Sequence, residues 1–173
     1  MSVGAGNAAD PAGRPGWGSG IALACVILAA CGASPVEGPR SVPPARWGII
    51  TLPSGRALSV ELADTPALRE RGYMFRERIP EGEGMIFLMG EVGFHSFWMK
   101  NCLTSLDIIW IDEGWRIVEI MPDVPPCKAD PCPSYGPMSR SLYVLEVGPG
   151  EAARLGLKIG DRLLFAVPPS KGN

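Results

Sequence analysis

Short runs of alternating apolar and polar residues fill the chain from residue 46 onward. "RWGIITL" (46–52) and "RALSVELA" (56–63) are β-branched and alternate, with "PSG" between them, which predicts a hairpin. Thr65 before Pro66, with Gly72 a turn or two later, supplies an N-cap, an N1 proline and a C′ glycine, so a short helix over 66–71 is expected. "GMIFLMG" (84–90) reads as a buried strand, and "FHSFWM" (94–99) and "SLDIIWID" (105–112) as two more joined by "KNCLT". Strands are also expected at 113–121, 141–147 and 162–167, with a second short helix within 149–157. Residues 122–140 hold six prolines and read as a loop. The fold class that follows is mainly β, a compact antiparallel barrel or sandwich of about eight strands with two short helices.

The stretch "HSFWMKNC" (95–102) carries large apolar groups on both faces of its strand, the mark of a central strand or a covered wall. On this reading Lys100 stands at the polar end of a 94–99/105–112 hairpin, and Asp107 returns beside it on the neighbouring strand. A charge among apolar residues needs a partner.

The first third has a different pattern. "GIALACVILAACGAS" (20–34) is an apolar run of signal-peptide length, too short to span a bilayer comfortably. It ends in "LAAC", which resembles a bacterial lipobox. That resemblance implies a signal peptide over 1–30 and a lipidated Cys31. A Pro/Ser/Gly-rich tether (31–45), one β-rich domain (46–168) and a tail (169–173) follow. The expected location is the bacterial cell envelope, facing the periplasm. Gly32 after the cysteine, in place of Asp, resembles outer-membrane sorting.

The 173 residues are 46% hydrophobic with a net charge of −2 and no run of Lys or Arg, so nothing argues for nucleic acid as a partner. The membrane, reached through the N-terminal lipid, is the expected partner, and the domain is expected to be monomeric. Of the five cysteines, Cys25 leaves with the signal and Cys31 is acylated. Cys127 and Cys132, in a Pro-rich loop of an exported chain, are expected to form a disulfide, with Cys102 left over.

"RGYMFRERIPEGEGMIFLM", "FHSFWMKNCLTSLDIIWID" and "YVLEVGPGEAARLGLKIGD" together resemble the uncharacterised bacterial and archaeal family known as domain of unknown function 192, over roughly residues 48–167. Arg71, Gly72, Met74, Arg76, Gly84, Met85, Phe87, Trp98, Met99, Asn101, Leu106, Asp107, Ile108, Glu146, Gly160 and Asp161 fall on its pattern. Tyr73, Cys102 and Ser105 stand where the family usually has Leu, Thr and Pro. The resemblance implies a compact β-barrel or sandwich and a polar cluster, without a reaction.

Two constellations carry candidate chemistry. Arg71, Arg76, Lys100, Asn101, Asp107 and Glu146 come from the first helix, the central hairpin and the 141–147 strand. Converging, they would make a charged pocket for a small polar or envelope-derived ligand. The alternative is an internal salt-bridge network fixing the helix to the sheet. His95, Met99 and Cys102 are soft ligands that would suit a periplasmic copper ion, though Met99 is also an ordinary core filler. The single His95 leaves no nucleophile–base pair in view, which favours a binding or accessory module over an enzyme. The enzymatic alternative is a hydrolase or transferase built on Asp107 and Arg71. No metal or organic cofactor is expected.

Overall fold

In the computed structural model the middle strands of a seven-stranded sheet carry buried residues on both faces. The structure describes residues 45–168; the expected signal peptide, Cys31, all of the tether but its last residue, and the tail lie outside them. β1 (Trp47–Thr51) and β2 (Ala57–Ala63) form the expected hairpin, with Thr51 opposite Ala57 and Gly55 turning the chain at a φ of 82°. α1 (Pro66–Arg71) has the expected bounds: the Thr65 hydroxyl accepts from Leu68 N–H at 3.2 Å, and Gly72 (φ 44°) stops the helix, its N–H donating to the Leu68 carbonyl at 3.0 Å.

α1 returns the chain to the end of the sheet from which β2 began, so β3 (Glu83–Gly93) lies parallel to β2, Val60 opposite Gly84. A parallel pair requires such a crossover, whereas hairpins produce antiparallel neighbours. The remaining elements are β4 (Phe97–Trp98), β5 (Leu106–Ile111), β6 (Ile117–Val124), β7 (Ser134–Tyr135), β8 (Ser141–Val147), α2 (Glu151–Arg154) and β9 (Leu164–Ala166). Seven strands form one mixed sheet in the order β6-β5-β8-β3-β2-β1-β9, and β4 and β7 pair separately. The mainly β class with two short helices holds. The sheet is mixed rather than wholly antiparallel, and it is not closed into a barrel. Its outer strands β6 and β9 share no ladder and meet at one bridge, Arg116 opposite Arg162, where Leu163 N–H donates to the Trp115 carbonyl at 2.8 Å. The Trp115 ring fills that corner, stacked on Tyr143 and Phe165 with centroids 4.1 and 4.9 Å away.

Strand alternation sorts the core into two layers. Ile86, Ile109, Ile111, Leu145 and Val147 face one side, with Ile50, Leu58, Val60 and residues of α2. Met85, Phe87, Ile108, Trp110 and Val144 face the other, with Tyr73, Met99 and Cys102. All six residues of β5 are buried, as befits a strand covered on both faces.

Residues 94–99 depart from the expected central strand. β4 is two residues long and pairs with β7 (Phe97 opposite Tyr135), inside what reads from sequence as a loop. The apolar density of this stretch serves as a cover over the second layer. Phe97 sets its edge on Phe87 at 4.9 Å, Met99 is fully buried, and Phe94 and Trp98 are 63% and 48% exposed. Among the described residues no helix is long and apolar enough to cross a membrane.

Candidate functional site

β8 is the middle strand of the covered region, and Glu146 is its acidic residue. Its register partners are Met85 on β3 and Ile108 on β5, and alternation turns its side chain toward the second apolar layer. It is 4% exposed and makes no side-chain hydrogen bond or ion pair with the described residues. Burial without a counter-charge disfavours the ionised form and pushes its pKa up to about 8, so the carboxyl is protonated at neutral pH.

Glu146 lines a small chamber of about 30 Å³, room for roughly one water, walled by Tyr73, Phe87, Phe97 and Cys102. Gly72, Arg69, Glu70, Arg71, Met74, Trp98 and Lys100 complete its lining. The last five of these, together with Ala67 and Asn101, line an outer cavity of about 370 Å³, so the two spaces form one recess with an inner and an outer part. Gly72 is needed where the wall is thinnest. Its φ of 44° suits glycine, and an added Cβ would stand 3.4 Å from the Phe87 ring and 3.9 Å from a Glu146 oxygen. Burial raises the Tyr73 phenol well above its ordinary pKa and pushes the Cys102 thiol up to about 11, the Glu146 carboxyl adding to both shifts. Neither is an activated nucleophile.

The structure therefore gathers Arg71, Lys100 and Glu146, with Asn101 at the outer part. Arg71 is exposed and forms no ion pair among the described residues. Lys100 lies 3.5 Å from Asp130 and over the Trp98 ring at 5.5 Å. Asn101 holds a left-handed φ of 57°, accepts from Phe75 N–H (φ 65°) at 2.8 Å, and points its amide at the Met74 sulfur 3.7 Å away.

Arg76 and Asp107 stand elsewhere. Arg76 pairs with Glu61 through both guanidinium nitrogens, one at 2.7 Å, and covers the Tyr73 ring at 5.0 Å. It lines a third cavity of about 100 Å³, toward β2, which shares Arg71 and Gly72 with the inner chamber. Asp107 corrects the expected pairing with Lys100. It is fully buried opposite Val147, where its carboxylate accepts from the backbone N–H groups of Asp123 (2.8 Å), Gly150 (3.1 Å) and Ala152 (2.9 Å). It lines neither part of the recess, so the hydrolase or transferase alternative loses its carboxylate. The expected soft-ligand set is divided too: a His95 ring nitrogen lies 2.9 Å from the Glu91 carbonyl, while Met99 is enclosed in the apolar layer. Cys127 and Cys132 are joined in a disulfide, and Cys102 is free and buried. Sequence reasoning missed the walls Tyr73, Phe87 and Phe97, whose periodicity signals core alone.

The family model described as Uncharacterized ACR, DUF192, matches residues 49–165. A crystal structure from Sinorhizobium meliloti 1021, of a protein provisionally named as a transcription regulator, is 32% identical with a TM-score of 0.64, over 75% of this chain and all of that one. A crystal structure of a protein of unknown function from Novosphingobium aromaticivorans DSM 12444 is 34% identical with a TM-score of 0.62, over 77% of this chain and 94% of that one. No curated protein matches the chain.

Proposed function

The chain belongs to the uncharacterised family DUF192, and from that premise we propose that it is a lipid-anchored envelope protein whose recess binds a small polar ligand. One observation carries the reading. A carboxyl group that is 4% exposed, at the base of a walled chamber, has no partner among the described residues. The protein supplies no partner for this carboxyl, and a ligand in the chamber that it lines could supply one. Aromatic walls with a few polar groups at the base and mouth are the usual make-up of a small-molecule site. The lipobox-like "LAAC" ending at Cys31 supports a position in the envelope, where a tethered receptor or accessory module meets small solutes. The provisional name of the Sinorhizobium relative does not extend to this chain in our reading, because a net charge of −2 without basic clusters gives DNA no purchase.

The test is a thermal-shift screen of the full chain in detergent with neutral sugars, small amines, carboxylates, sulfate and phosphate. A ligand at a hundred times its Kd stabilises by about 2.7 kcal/mol. At least one class is expected to raise the midpoint, with the rise lost in Glu146→Ala. If no class raises it, the binding reading fails.

A further inference from the structure

We infer that the ligand of this recess presents an oxyanion, a carboxylate, sulfate or phosphate group, with one oxygen hydrogen-bonded at the Glu146 carboxyl and its charge facing Arg71 and Lys100. This rests on the binding reading above and names the chemical class that the same site takes.

The charges that face the recess decide between the possible occupants. α1 contributes Arg69, Glu70 and Arg71, and the turn after β4 contributes Lys100. Arg69 is already engaged, its guanidinium donating to the Leu88 carbonyl at 2.9 Å. Arg71 has no ion-pair partner among the described residues, and the ion pair of Lys100 with Asp130 is long and exposed. The other titratable neighbours of Glu146 are Tyr73 and Cys102, both neutral through the physiological range because burial raises their pKa values. The strands on either side offer only Met85 and Ile108. Arg69, Arg71 and Lys100 line the recess against Glu70 and Glu146, so positive charge exceeds negative whichever form Glu146 takes, and the protonated carboxyl adds a hydrogen-bond donor. An ammonium group would meet those cations on its way in. An anionic oxygen meets complementary charge at the mouth and a donor at the base, as at other charge-assisted sites. The size agrees: about 30 Å³ admits one oxygen, while the rest of the molecule remains in the outer 370 Å³.

Sulfate and acetate are the probes, because neither changes its charge between pH 6 and 9.5, so any pH dependence belongs to the protein. Titration calorimetry on the full chain should give an affinity that is flat below about pH 8 and falls about tenfold per unit above it, as Glu146 loses its proton. Glu146→Gln keeps a donor without an ionisable proton, and should bind at pH 9 as it does at pH 7. Arg71→Ala, an exposed change that leaves the fold intact, should weaken binding at every pH without altering the profile. Binding at pH 7 should release no protons when measured in two buffers of different ionisation enthalpy. Affinity that rises with pH, or proton release on binding, would overturn the oxyanion assignment in favour of a cation held by ionised Glu146. If sugars or amines raise the midpoint while sulfate and acetate do not bind, the site binds ligands and this inference alone is wrong.

Discussion

Replacing Glu146 by Gln should make the ligand-free protein more stable in mild alkali than the natural chain. In the folded chain the carboxyl keeps its proton up to about pH 8, while the unfolded chain releases it near the ordinary value of 4.5. Between those values the folded state holds more protons than the unfolded state, so stability falls as pH rises through the window and levels off above it. The rise from 4.5 to about 8 corresponds, at about 1.4 kcal/mol per unit, to a loss of about 5 kcal/mol. That is a large share of the roughly 5–15 kcal/mol that holds a domain folded. Gln fills the same space and stays neutral. Urea denaturation of both proteins at each unit from pH 5 to pH 9 should give similar midpoints at pH 5 and diverging ones thereafter, with the variant ahead by about 4 kcal/mol at pH 9. Curves that stay parallel across the window would refute the reasoning, because the pH sensitivity would then come from other groups. A group kept at such a cost is what a functional site exacts from its scaffold.

Asp107→Asn should lower stability by about 2–3 kcal/mol in urea at pH 7, since one charge-assisted bond to a backbone N–H is replaced by an amide facing a donor; sulfate affinity should not change. Reducing the Cys127–Cys132 bridge, whose members are 5 residues apart, should cost about 2 kcal/mol, read as a shift of the urea midpoint on adding dithiothreitol. Cys31→Ser should abolish incorporation of labelled fatty acid; if the natural chain incorporates none, the lipid anchor is wrong.

Local chemistry was legible where it acts alone. Thr65, Pro66 and Gly72 state the limits of α1 because caps act within one turn, and the alternation of residues 141–147 states β8 in full. Glu146 entered only through the family pattern and the charged cluster drawn from it, not as a buried acid. The neighbour of each strand was not legible, since alternation says which way side chains point and not what pairs with what. Thus the β2–β3 parallel pair, and the insertion of β8 between β3 and β5, had no local signal. That insertion moved Asp107 from Lys100 to the backbone around Gly150, although both residues lie where the chain order puts them. Residues 94–99 misled because a cover and a central strand draw on the same aromatic residues. Only the exposure of Phe94 and Trp98 tells them apart.

The crossover that makes β2 and β3 parallel also supplies one side of the recess that holds Glu146. α1, which walls both parts of the recess, has six residues and none of them fully buried. Such a segment frays at a small fraction of the cost of opening the sheet beneath it. Loss of the Thr65 cap is therefore expected to loosen that side of the recess without removing any of its polar groups.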